Sequence, residues 1–291
     1  MLKIFAATMA LGMMTSMPLS AQTVPTAVIA DPAPDAQFPA KLIQLRYTSA
    51  GIALPARLFL ASGGKPHPTV LMLHGFPGTE MNFDLDRAMQ RAGWNVLAIE
   101  YRGVWGGGGK FSFSHVVEDA RAGLAWLRDP ANDTKYLIDP KTIVVMGHSM
   151  GGFATVMLSD DKQVTGSVVI SGADIGGRLA MAAGKPIDVL REDWGDDASY
   201  TNMTLEEMVA DSAASAKRWD WRANAGRLAG WPLLLLSSND GLKPDADAAA
   251  AEVKKAGGTV TEVKIETDHS YNDHRIALAA AIVSWLQASF R

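Results

Sequence analysis

Residues Thr142 to Ser149 read TIVVMGHS and run directly into Met150-Gly151-Gly152. A short apolar run of this kind reads as a strand buried on both faces. The next five residues to matter, Gly147-His148-Ser149-Met150-Gly151, have the form G-x-S-x-G, and a helix continues to about Leu158. That spacing has a physical reason. A serine placed there must sit on a sharp, strained turn with its hydroxyl projecting above the sheet. Gly147 and Gly151 remove side chains that would collide with the neighbouring strand and helix, and Gly152 lets the helix pack closely. The helix aims its amino end at the serine, which favours developing negative charge. Ser149 is therefore the candidate nucleophile. The alternative is a glycine-rich packing turn with an idle serine.

Similar apolar runs recur along the chain. Thr69 to Leu73, Trp94 to Ile99, Ser167 to Ile170 and Pro232 to Leu236 read as further buried strands, and Val260 to Ile265 as the last one. Leu42 to Thr48 and Ile52 to Leu60, joined through Ser49-Ala50-Gly51, read as a hairpin. Helical spacing appears between them over Asn82 to Ala92, Ser114 to Arg128, Pro244 to Ala256 and Ile276 to Ala288. An antiparallel start followed by repeated strand–helix units predicts an α/β fold: a mostly parallel central sheet with helices on both faces. A chain of 291 residues can spend residues 41–291 on one such domain.

Ala173 to Gly230 breaks this rhythm and is too long for a simple loop. It carries helical signals, above all Thr204 to Ala216, where Thr204 and Glu207 can form a capping box. A helical cap over the carboxyl edge of the sheet is expected, because open α/β sheets bind ligands there. A peripheral decoration that never meets substrate is the alternative.

The amino terminus reads as an address. Met1 to Ala21 has a positive Lys3, an apolar stretch from Ile4 to Met14 and a short, small-residue end, the layout of a secretory signal peptide cleaved after Ala21. A membrane anchor would need about 20 apolar residues, more than this stretch provides. Gln22 to Ala40, rich in Ala and Pro, reads as an extended leader. A periplasmic or secreted protein is expected, with no stable membrane span after cleavage. Lys plus Arg is 27 against 31 Asp plus Glu, a formal net charge of −4 without a basic stripe, so nucleic acid is not an expected partner. The absence of cysteine excludes disulfides, thiolate metal sites, iron–sulfur clusters and a cysteine nucleophile.

A second motif, His74-Gly75-Phe76-Pro77-Gly78, follows the strand ending at Leu73. Acyl transfer needs two backbone N–H donors aimed at the developing oxyanion. Phe76 and Met150 are the natural pair: one follows this strand and the other follows the serine. Pro77 has no N–H. His74 is within reach as a base, but its position suits a role in shaping the loop. Tyr101-Arg102-Gly103 and Gly106 to Gly109 follow a core strand and lie at the same edge. Glu100 reads as a buried structural carboxylate.

From Leu42 to Arg291 the chain resembles the α/β-hydrolase superfamily. The resemblance rests on HGFPG at 74–78, Tyr101-Arg102-Gly103, GHSMG at 147–151, Ser238-Asn239-Asp240 and Asp268-His269. YRGVWGGGG at 101–109 with FSF at 111–113 is similar to the branch of dienelactone hydrolases and prolyl-oligopeptidase-like enzymes. The family's chain order is nucleophile, acid, histidine. It implies Asp240 as the acid on the loop after Pro232 to Leu236, with Asp174 as the rival. It implies His269 as the base, with His274 as the rival. His269 and His274 lack the i, i+4 spacing of a zinc pair, and the chemistry implied requires no metal or organic cofactor.

These readings point to a serine hydrolase acting on a small-molecule ester or amide, with a carboxylesterase first. An exopeptidase would need a carboxylate for the substrate amine, which Glu192, Asp193, Asp196 or Asp197 could provide. A non-catalytic binding protein on the same fold is the reading from a different class. Oligomeric state is not legible in the sequence.

Overall fold

The hairpin forms the first edge of a single eight-stranded sheet. In chain order the elements are α1 (Thr26–Ile29), β1 (Lys41–Ser49), β2 (Ile52–Leu60), β3 (His67–Leu73), α2 (Phe83–Arg91), β4 (Asn95–Ile99), α3 (Phe113–Leu127), α4 (Pro130–Tyr136) and β5 (Ile138–His148). There follow α5 (Met150–Met157), β6 (Gly166–Ile170), α6 (Ile175–Ala182), α7 (Leu205–Ser215), α8 (Trp221–Arg227), β7 (Leu233–Ser237), α9 (Lys243–Lys255), β8 (Val260–Lys264) and α10 (Arg275–Ser289). The computed structural model describes residues 24–182, 185 and 195–290; the expected signal peptide, Glu192 and Asp193 lie outside them, as does the side chain of Asp196.

The strand order is β1-β2-β4-β3-β5-β6-β7-β8. β1 pairs antiparallel with β2, and β2 antiparallel with β4; every later pairing is parallel. The expected mostly parallel sheet is what the chain forms. Its central strands β4, β6 and β7 are buried throughout because both faces are covered, whereas the edge strands β1 and β8 are polar and partly exposed. Side chains alternate across a strand, so Leu71, Leu73, Val145 and Leu235 join Leu124 of α3, Phe153 of α5 and Ala249 of α9 on one face. Val70, Met72, Val144 and Leu234 join Met89 of α2 and Ile282 of α10 on the other.

Two short helices depart from the sequence reading. α4 carries the polar sequence PANDTKY, which has no apolar stripe for periodicity to reveal. It is set by its ends: Pro130 opens it, the Asp129 carboxylate accepts the Ala131 N–H, and Leu137 closes it in the left-handed region. α1 lies within the segment expected to be an extended leader. That segment instead makes one helical turn there, anchored where the Arg91 Nε donates to the Ala27 carbonyl at 2.6 Å.

The segment after β6 is seated on the segment after β4. The Asn202 side chain accepts the Phe111 N–H at 2.8 Å and donates to the Gly109 carbonyl at 2.8 Å. The Asp211 carboxylate accepts the N–H and the hydroxyl of Ser114, at the start of α3. The Thr204–Glu207 capping box forms as expected and starts α7.

Arg102 locks the same region to α3. It donates from Nε to Asp119 at 2.7 Å and from its backbone N–H to the same carboxylate at 2.9 Å, and pairs with Glu118 at 2.7 Å. Asp119 is fully buried. Removing one partner of a buried pair strands a charge, at a cost of about 3–5 kcal/mol. Arg102→Ala should lower stability by about that much. Arg102→Ala with Asp119→Asn should lose less, because the amide keeps the acceptor without the charge. Urea unfolding of both variants checks this, and equal losses would refute it.

Candidate active site

The turn between β5 and α5 is built by the absence of side chains. A Cβ on Gly147 would lie 2.0 Å from the Gly151 carbonyl oxygen, and one on Gly151 would lie 1.9 Å from the Leu73 carbonyl oxygen. A Cβ on Gly152 would lie 2.7 Å from the Gly172 Cα. No larger residue fits at any of the three. Ser149 caps α5 with φ 56° and ψ −114°. That backbone conformation costs a non-glycine residue about 1–3 kcal/mol and must be held by its surroundings. It is: the Ser149 N–H donates to the Ile170 carbonyl at 2.9 Å, and its own carbonyl accepts from Phe153 at 3.1 Å. Met150 is the first residue of α5, so its N–H has no acceptor within the helix.

The loop 74–78 lies against this serine, since a Cβ on Gly75 would be 3.1 Å from the Ser149 Cβ. Phe76 is thereby carried to the amino end of α5. Its ring packs on Phe111 at 5.6 Å and Phe113 at 5.8 Å between centroids. His74 is buried and holds the loop from beneath: its Nδ1–H donates to the Gly75 carbonyl at 2.7 Å, and Nε2 lies 3.5 Å from Glu100. The Tyr101 hydroxyl donates to the His74 carbonyl at 3.2 Å. Burial alone would raise the Glu100 pKa; His74 and the Arg57 guanidinium bonded to it bring it below the usual carboxylate range. Trp105 completes the support by donating to the Pro77 carbonyl at 2.9 Å. His74 thus shapes the loop, and Glu100 is structural.

Asp240 and His269 meet. The His269 Nδ1–H donates to Asp240 Oδ2 at 2.7 Å, with the aspartate side chain 4% exposed and the imidazole 40%. Burial by itself would raise the Asp240 pKa. Hydrogen bonds from His269, the Leu242 N–H and the Ser171 and Ser238 hydroxyls outweigh it and hold the carboxylate well below its ordinary range. Ser171 is in turn bonded to Ser238 at 3.2 Å and to the Tyr271 hydroxyl at 3.0 Å. The Asp240 carboxylate is therefore favoured in its ionised form, as an acceptor. With Nδ1–H committed to it, the other ring nitrogen of His269 is left to accept a proton.

The alternatives fall elsewhere. Asp174 accepts the Gly177 N–H at 2.9 Å, in the capping position of α6. His274 bonds its neighbour Asp273 at 2.8 Å and caps α10. Asp268 accepts from the backbone and side chain of Asn272, within its own loop. Among the described residues no group of three or more His, Asp and Glu side chains is placed to hold a metal ion.

Sequence reasoning missed four supporting residues. Ser171, Ser238 and Tyr271 surround Asp240, and of these Ser238 alone stood in a quoted motif. The fourth is His148, beside the serine in GHSMG. Its ring lies 4.7 Å from that of His269, and its Nε2–H donates to the His269 carbonyl at 2.9 Å. This contact ties the histidine loop to the residue next to Ser149. A further tie is Arg275, which joins the Ser270 carbonyl to Asn82 and Asp84 at the start of α2. Burial, reinforced by the nearby charge of His269, pushes the His148 pKa down to about 3. It is neutral, with a bare, buried Nδ1.

Comparison with known proteins agrees with this fold. Residues 70–281 match the family described as "Alpha/beta hydrolase family". Two curated relatives, both uncharacterized proteins of Mycobacterium tuberculosis, are 32% identical over 113 residues. That match spans 38% of this chain and 38% of the relatives' own length. Among solved structures, an esterase of Pyrobaculum calidifontis superposes with a TM-score of 0.65 at 19% identity, over 87% of each chain. A thermostable carboxylesterase cloned from a metagenomic library does so with 0.62 at 21%, over 90% of this chain and 92% of its own. An acylaminoacyl peptidase of Pyrococcus horikoshii gives 0.64 at 16%, over 86% of this chain and 42% of its own. At these identities the structures establish a shared fold.

The neutral His148 carries a pH signature. Between the native value of about 3 and the ordinary 6.5, the unfolded chain binds a proton that the folded one refuses. Stability therefore falls as pH drops through that window, by up to about 1.4 kcal/mol per pH unit from this group. His148→Gln keeps a donor for the His269 carbonyl and removes the titration. Urea unfolding at pH 4 to 7 should show a shallower acid decline in the variant than in the wild type; parallel curves would refute the assignment.

Proposed function

The chain belongs to the alpha/beta hydrolase family, and on that premise we propose that it is a serine hydrolase that cleaves a carboxylic ester through an acyl-enzyme on Ser149. The observation that carries the proposal is the 2.7 Å bond from His269 to an Asp240 held ionised by further donors, with the imidazole packed beside the residue next to Ser149.

The steps follow from that arrangement. Asp240 fixes the His269 tautomer, so the distal ring nitrogen is the base. It takes the proton of Ser149 as the oxygen attacks the carbonyl carbon. Charge develops on the carbonyl oxygen at the amino end of α5, where the N–H groups of Met150 and Phe76 receive it. Each such donor is worth about a hundred to a thousandfold in rate. The protonated His269 gives its proton to the departing alkoxide, leaving the acyl group on Ser149. Water then attacks the acyl carbon as it loses a proton to the same nitrogen, the bond to the Ser149 oxygen breaks, and His269 returns the proton to that oxygen as the acid leaves. No step calls on a cofactor.

Esters come first because the esterases named above share the fold over 87% or more of both chains. The acylaminoacyl peptidase supports amide cleavage as the second reading. The proposal includes export of the chain through its residues 1–21, which read as a signal peptide. Among the described residues, no helix is long and apolar enough to cross a membrane.

A panel of p-nitrophenyl acyl esters beside aminoacyl p-nitroanilides tests both readings. Ester turnover should exceed anilide turnover in the wild type. Ser149→Ala should remove about 10⁴-fold or more of it, and Asp240→Asn about 10⁴-fold, with the fold intact by circular dichroism. Wild-type turnover in Ser149→Ala would refute the mechanism, and anilide turnover above ester turnover would shift the reading to a peptidase.

A further inference from the structure

A cavity of about 370 Å³ opens between α3 and α8, away from the serine. Its lining includes none of Ser149, Asp240, His269 or the 74–78 loop. Its size lies within the roughly 300–1,000 Å³ of small-molecule sites. Two helix faces build it. Ser114, Val117, Glu118 and Arg121 recur at the spacing of one face of α3, and Asn224 and Arg227 at that of one face of α8. The turn joining α7 to α8 adds Lys217, Arg218 and Trp219, and the end of α5 adds Met157.

The charges do not cancel within this cavity. Its two carboxylates are engaged: Glu118 pairs with Arg102, which lies outside the lining, and Asp160 with Arg121. Arg218 is steadied by neutral oxygens, donating to the Ser215 hydroxyl at 2.8 Å and the Ser114 hydroxyl at 3.3 Å. Arg227 donates to the Asn224 amide oxygen at 3.1 Å. Arg227 is thus oriented by an uncharged acceptor, and Arg218 by two hydroxyls, of which that of Ser114 donates onward to the Asp211 carboxylate outside the lining. Lys217 is exposed on the same rim. In a chain of net charge −4, this concentration of cations on one concavity stands against the overall balance. The apolar part of the lining is Val117, Met157 and Trp219, which is 4% exposed and packed on Phe153.

We propose that this cavity binds a small amphipathic anion. Lys217, Arg218 and Arg227 would hold its phosphate or carboxylate head, and the apolar wall its short body. Because α3 and α5 belong to the sheet's helical layer and the α7–α8 turn to the inserted segment, a bound anion would tie the two together.

Calorimetric titration of the wild-type protein with hexyl phosphate tests this without recourse to turnover. Saturable binding is expected, weakening as salt rises. The apparent Tm should rise with occupancy. Lys217→Gln with Arg227→Gln, both at exposed positions, should weaken binding at least tenfold and abolish the Tm shift. Arg227→Glu alone, a charge reversal at an exposed position, should also weaken it. Hexanoate in place of hexyl phosphate identifies the preferred head, and tighter binding of either over hexanol supports the proposal. No binding, equal affinity in the double variant, hexanol as tight as the anions, or inorganic phosphate as tight as hexyl phosphate would each overturn it.

Discussion

The approach of the β5–α5 turn to the end of β3 governs the carboxyl edge of this protein. At Gly151 the backbone comes so near the Leu73 carbonyl that a single added carbon would sit 1.9 Å from it. That approach sets the loop 74–78 against Ser149, and so brings two separate backbone segments to one point. Ser149 stands in this turn at a positive φ of 56°, at the amino end of the helix. A side chain at Gly151 would part the two segments, and one at Gly147 would spread the turn itself, so that the loop, serine and helix end would no longer share a location.

Around that point the protein places charge by burial and hydrogen bonding. Asp240 is kept ionised by donors from three chain segments: its own loop, the residue after β6 and the loop after β8. Burial works in the opposite direction at His148, which stays neutral beside His269 and grips its carbonyl. One buried group is held charged and its neighbour is held uncharged. The result is a histidine whose orientation is fixed from both sides. Arg275 extends the same restraint to α2, so the loop bearing His269 is fastened to both the sheet and a helix.

Much of this was legible in the chain. The apolar runs revealed the strands, because a strand covered on both faces needs no polar side. Glycine spacing located the turn, since only glycine tolerates such approach. The resemblance of Ser238-Asn239-Asp240 and Asp268-His269 to family motifs pointed to the pair that meets. The polar helix α4 and the helical turn in the leader escaped notice, because capping and docking create them without periodicity. His148 escaped as a variable position inside a motif whose glycines and serine draw the attention.

Sequence by itself determined the α/β architecture, the strained turn and the residue types available for chemistry, because these depend on local patterns of apolarity and on steric limits at glycine. Tertiary structure decided which aspartate meets His269, which hydroxyls surround that aspartate, and where the cations of the α3–α8 cavity gather. Those are distances between residues far apart in the chain. Packing fixes them, and no local pattern encodes them.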